Sequence, residues 1–115
     1  MSERILVVDD EYLIATAVEK ALSKVGYVLA KAQNMKELEE VLKDGVPFDL
    51  LITDVHMKED SLSDIIEKVR QSSPAIKILK MSGSADGGGP DNFIEKPFGI
   101  KDLRKKVREI LDGSS

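Results

Sequence analysis

Five residues of this chain have the types and spacing to handle a phosphoryl group: Asp9, Asp10, Asp54, Ser82 and Lys96. Each stands at the end of a short apolar run. Carboxylates brought together without a counter-charge repel and raise one another's pKa. A hard divalent cation resolves the repulsion, and Mg²⁺ favours one or two carboxylates completed by water and phosphate oxygens. A lysine ammonium facing the cluster offsets charge and can bind phosphate. The Ser82 hydroxyl can hydrogen-bond a phosphoryl oxygen, with Gly83 leaving room for its approach. The set reads as a cation-assisted phosphoryl acceptor site. Each piece also has a plainer reading: Asp10 as a helix cap, Ser-Gly as turn chemistry, Lys96 as a surface lysine. Two acidic sites at the ends of neighbouring strands favour the cation. His56 is the only histidine; with no partner for a zinc site, its side chain is expected in solvent. Its backbone carbonyl, two residues after Asp54, is the better ligand candidate. Phe93 and Phe98 flank Lys96, where core packing is the ordinary expectation, and the peptide before Pro97 is a natural place for a cis bond.

The apolar pattern supplies the elements that must position these groups. Arg4–Val8 and Phe48–Thr53 are short aliphatic runs that read as fully buried strands. Tyr27–Ala30, Ala75–Met81 and Phe93–Glu95 read as three more. Between them, Leu13, Ile14, Ala17, Val18, Ala21, Leu22 and Val25 form a stripe of helical period that Gly26 stops. Asn34 with Glu37 is a capping-box-like start for a helix burying Met35, Leu38, Val41 and Leu42. Residues 55–60 form a polar loop, and Ser61 caps a helix burying Leu62, Ile65, Ile66 and Val69. Ile100, Leu103, Val107, Ile110 and Leu111 mark a last helix.

Alternating strands and helices imply an α/β fold with a parallel sheet covered on both faces. In such a sheet the first and third strands meet at the switch point, so Asp9, Asp10 and Asp54 converge there. One connection breaks the rhythm. Residues 83–92 contain Gly87-Gly88-Gly89-Pro90, which opposes a helix, so the fourth crossover is expected to be a loop or a single turn. Lys80 fits this, since a lysine in a central parallel strand needs a route to water. Residues 84–91 are expected to be the most mobile internal segment.

The chain has 115 residues, 42% hydrophobic and 33% charged, which suits one domain spanning 1–112 with a frayed tail at 113–115. No apolar run approaches a membrane span, no leader is expected, and no membrane partner is implied. The absence of cysteine excludes disulfides, thiol catalysis and cysteine-ligated zinc, and fits a reducing compartment. The net charge of −4 gives no footprint for nucleic acid. Lys101, Arg104, Lys105, Lys106 and Arg108 read as a solvated helix face, with docking of an acidic partner as the alternative.

The order Ile5-Leu6-Val7-Val8-Asp9-Asp10-Glu11, Asp54-Val55-His56-Met57, Met81-Ser82-Gly83 and Phe93-Ile94-Glu95-Lys96-Pro97-Phe98 resembles the receiver domains of two-component response regulators, over essentially the whole chain. The resemblance implies a flavodoxin-like, doubly wound five-stranded parallel sheet of order 2-1-3-4-5. It implies that Asp54 accepts a phosphoryl group from a phosphohistidine on a histidine kinase or histidine phosphotransfer protein, and that a partner-binding surface then switches. It further implies Mg²⁺ (or Mn²⁺) bound by Asp10, by Asp9 mainly through water, by Asp54 and by the His56 carbonyl. Ser82 and Lys96 would hold phosphoryl oxygens, and Phe93 falls at the position of a switching aromatic. A cytoplasmic signalling protein follows, one that promotes its own phosphorylation and dephosphorylation but is not a multiple-turnover enzyme.

Three departures accompany the resemblance. The stretch from Ser82 to Lys96 is too short for the family's fourth helix, a usual part of the output surface. Lys58 and Leu62 stand where a proline and a glycine are usual. Serine at 82 replaces the frequent threonine, and Phe93 lacks a tyrosine's hydroxyl. A pseudo-receiver, binding a partner without phosphorylation, is the alternative, and the intact set of five residues argues against it. A haloacid-dehalogenase-type phosphatase is disfavoured because His56 stands where its acid aspartate would be. Nucleotide binding is disfavoured because no glycine-rich loop follows the first strand.

Overall fold

The computed structural model describes residues 3–83 and 92–113. Its strands are β1 (Arg4–Val8), β2 (Val28–Ala32), β3 (Leu50–Asp54), β4 (Lys77–Ser82) and β5 (Asn92–Glu95). They form one parallel sheet in the order β2-β1-β3-β4-β5. Among the described residues there are four α-helices: α1 (Tyr12–Ser23), α2 (Met35–Val41), α3 (Leu62–Ser72) and α4 (Ile100–Leu111). This is the doubly wound flavodoxin-like arrangement that the sequence implied.

The strand period of two sorts the central residues onto two faces. Ile5, Val7, Leu50, Ile52, Leu79 and Met81 pack with Ala15, Val18 and Leu22 of α1 and Leu103, Val107 and Ile110 of α4. Leu6, Val8 and Leu51 point the other way, onto Leu38 of α2 and Ile65 and Val69 of α3. β1 and β3 are therefore apolar on both faces, and every residue of β3 is buried.

Local signals set the helix ends. The Asn34 side chain accepts from the Glu37 N–H and the Ser61 side chain from the Asp64 N–H, as the sequence suggested. The α1 start differs. Glu11, not Asp10, is the N-cap residue and makes no side-chain cap bond; the Asp10 carboxylate instead accepts from the loop after β3. The second strand begins at Val28 and runs to Ala32, later than Tyr27–Ala30.

Leu13 departs from the core stripe and is 81% exposed. It lines an open groove of about 460 Å³ between α1, Pro97, Phe98 and Ile100, where no helix among the described residues covers it. Lys80 is half-buried and lies opposite Phe93 of β5 in register. The expectations of a loop in place of the fourth crossover helix, and of its mobility, fall on residues 84–91, which lie outside the described residues. Gly113, at φ +71°, closes α4 with an N–H bond to the Ile110 carbonyl.

Candidate functional site

Three ladder bonds carry the sheet pairing past the strand ends and fix where the site residues emerge. The Asp9 N–H donates to the Ala32 carbonyl (3.1 Å), prolonging β1 against β2. The Val55 N–H donates to the Met81 carbonyl (3.0 Å), holding the peptide after Asp54 against β4. The Lys96 N–H donates to the Ser82 carbonyl (2.7 Å) and places Lys96 beside the end of β4. The following Lys96–Pro97 peptide is cis. Asp9, Asp54, Ser82 and Lys96 are thus delivered to one edge, the carboxyl edge where ligands bind in open α/β sheets.

The side chains converge there. One carboxylate oxygen from each of Asp9, Asp10 and Asp54 lies within 4.8 Å of the others. Asp9 and Asp54 are buried, while Asp10 is half-exposed. The Lys96 ammonium lies 3.1 Å from Asp9 Oδ2 and 3.4 Å from Asp54 Oδ2, bridging the two. Asp9 Oδ1 accepts from the Glu11 N–H (2.9 Å). Asp54 Oδ1 accepts from the His56 N–H (3.1 Å), and Asp10 Oδ2 accepts from the Lys58 N–H (3.0 Å). His56 itself is exposed, Ser82 is fully buried at the end of β4, and Phe93 is half-buried in β5.

The electrostatics follow from burial. Burial pushes the Asp9 carboxyl above the usual carboxylate range, although the Glu11 N–H and Lys96 pull the other way. Burial also draws the Lys96 ammonium down, but its hydrogen bond to Asp9 and the charges of Asp9 and Asp54 outweigh this and leave it raised. Among the described residues the edge therefore sets three acidic groups near the Lys96 ammonium. An all-oxygen donor set of this kind suits a hard metal ion.

The amide donors of Glu11, His56 and Lys58 carried no signal in the amino-acid types, and neither did Asp60, whose Oδ2 accepts from the Met35 N–H (3.1 Å) at the start of α2. A backbone donor is invisible in a side-chain pattern. The unusual residue at 58 was the only hint.

Comparison with known proteins agrees with this geometry. The sequence profile of the family described as "Response regulator receiver domain" matches residues 5–108. The chain is 30% identical over 119 residues to the DNA-binding transcriptional regulator NtrC of Azospirillum brasilense, covering 96% of this chain and 24% of that protein. It is 32% identical over 119 residues to the chemotaxis protein CheY1 of Helicobacter pylori, covering 94% of this chain and 96% of that protein. The fold superposes on the chemotaxis response regulator CheY4 of Vibrio cholerae with a TM-score of 0.80 at 24% identity, covering 96% of this chain and 99% of that one. The chain therefore spans about a quarter of the NtrC relative and nearly the whole of the CheY1 relative. With the family profile spanning most of its length and the acidic edge assembled as described, this chain belongs to the response regulator receiver domains.

Proposed function

We propose that Asp54 accepts a phosphoryl group from a phosphohistidine on a histidine kinase or histidine phosphotransfer protein, and that the modification switches a partner-binding surface. The observation that carries this reading is the Lys96 ammonium bridging Asp9 and Asp54 within a cluster of three carboxylates. Asp9, Asp10, Asp54 and the His56 carbonyl are the residues that would hold Mg²⁺ or Mn²⁺. When bound, such an ion neutralises charge on the transferring group.

The chain's own residues do the rest. An Asp54 carboxylate oxygen forms the new bond to phosphorus, and the donor imidazole nitrogen leaves with the electron pair of the broken P–N bond. The His56 N–H fixes the rotation of the Asp54 carboxylate, which is positioning of the kind phosphoryl transfer rewards. Lys96 supplies positive charge to the phosphoryl oxygens, and Ser82, at the end of the neighbouring strand, supplies a hydroxyl. Pulling Ser82 towards the phosphoryl group frees space that Phe93 could enter, so a local charge event biases a two-state surface. In this reading the protein is a cytoplasmic signalling device that turns over its own phosphoryl group and is not a multiple-turnover enzyme.

Incubation with Mg²⁺ and a small phosphodonor, followed by intact mass measurement, tests the reading. A gain of one phosphoryl group that D54N abolishes is expected. No gain with either a small donor or a cognate kinase would favour a phosphorylation-independent binding module.

A further inference from the structure

Residues 55–60, the loop between β3 and α3, are held by hydrogen bonds to the end of β3, the turn after β1 and the start of α2. At its start the His56 N–H reaches Asp54 Oδ1. At its middle the Lys58 N–H reaches Asp10 Oδ2, 3.0 Å away across a sequence separation of 48. At its end Asp60 Oδ2 takes the Met35 N–H of α2. We propose that the Lys58 N–H is a positioning group for the cation site, fixing the Asp10 carboxylate as a ligand.

This rests on the cation-assisted reading above and adds a group to it. The three carboxylates are not equally held. Asp9 is buried and fixed by the Glu11 N–H and Lys96. Asp54 is buried and fixed by the His56 N–H and Lys96. Asp10 is half-exposed, and among the described residues the Lys58 N–H is the one donor to its carboxylate. A carboxylate that turns freely loses rotamer entropy when it takes a ligand. One oxygen pinned by an amide leaves less to lose and presents the other oxygen in a set direction. The Lys58 side chain is exposed, so the group that matters is the backbone N–H. A proline at this position has no N–H and could not make the bond. Asp60 ties the far end of the loop to the start of α2.

The distinction between side chain and backbone gives the test. Mg²⁺ is titrated by calorimetry into the wild type, K58A and K58P. K58A keeps the N–H and should bind as the wild type does, whereas K58P should bind about 10-fold more weakly, the lower end of the range for groups that orient a ligand. Equal affinities for K58A and K58P, or tighter binding by K58P, would overturn the proposal while leaving the acceptor reading intact. Failure of the wild type to bind Mg²⁺ would overturn both. Should K58P not fold, amide exchange in the wild type decides. The Lys58 N–H should exchange more slowly than that of Glu59, and more slowly still with Mg²⁺, because coupling between the bond and the ion is reciprocal. Faster exchange at Lys58 on adding Mg²⁺ would show the bond competing with the ion and would also overturn the proposal.

Discussion

Lys96 is the residue on which the charge of the acidic edge balances. It faces two buried carboxylates at 3.1 and 3.4 Å and is itself largely buried. Removing one partner of such a group leaves uncompensated buried charge, which is strongly destabilising. Lys96→Met should lower the stability of the metal-free protein by about 2 kcal/mol, less than for a fully enclosed pair because the edge is open to water. The same change should enlarge the stabilisation given by added Mg²⁺, since an ion that binds only the folded state stabilises by mass action. Thermal unfolding with and without Mg²⁺ checks both; an unchanged midpoint without metal and an unchanged response to it would contradict the role. At this scale the sequence was most informative about side chains. Asp9, Asp10, Asp54 and Lys96 were recognisable because two acidic sites stand at the ends of neighbouring strands, with a lysine at the end of another. The amide donors of Glu11, His56 and Lys58 were not, because every residue except proline carries one.

The elements differ in how securely their own residues specify them. β1 and β3 are buried on both faces and were legible from their aliphatic stretches, Ile5–Val8 and Leu50–Ile52. The short α2 relies on its surroundings. Its first turn has the Asn34 cap and a bond from the Gln33 N–H to Glu37 Oε1, and Asp60 of another loop takes the Met35 N–H. A seven-residue helix is marginal by itself, so Asp60→Ala should destabilise the protein by about 1 kcal/mol and speed amide exchange in residues 35–37 ahead of the core. Chemical denaturation combined with hydrogen exchange measures it, and uniform acceleration across α2 and β3 would argue against a local anchor. The role of Asp60 was not legible, since a carboxylate in a polar loop reads as solvated until the helix beside it is placed. Leu13 shows the converse: its helical period fits the core stripe, but whether a stripe position is covered depends on the neighbouring helix, which the period does not contain.

At the scale of the whole molecule, the sheet order brings residues 87 positions apart, Asp9 and Lys96, into contact. Opposite the acidic edge Arg108 clasps the segments before β1 and after α4, donating to Glu3 and Asp112 and to the Tyr27 hydroxyl. The Arg108 hydrogen bond, with one from the backbone N–H of Glu3 itself, holds the Glu3 carboxyl below the usual carboxylate range. A depressed folded-state value contributes stability above the unfolded pKa and loses it as pH falls through the folded one. The wild type should therefore exceed E3Q in denaturant midpoint at neutral pH, and the gap should close as pH drops below about 4; a gap independent of pH would contradict the clasp. The topology was readable because alternating strands and helices leave few alternatives. The clasp was not, because exposed charges outnumber the pairs they make. What the fold finally serves is Asp54, and the most direct measurement is to locate the modification. The protein is phosphorylated with a small donor in Mg²⁺, reduced with borohydride to trap any acyl phosphate as the corresponding alcohol, and mapped by peptide mass spectrometry. The account predicts homoserine at position 54, lost when the metal is chelated beforehand; reduction at another carboxylate, or labelling indifferent to the metal, would contradict it.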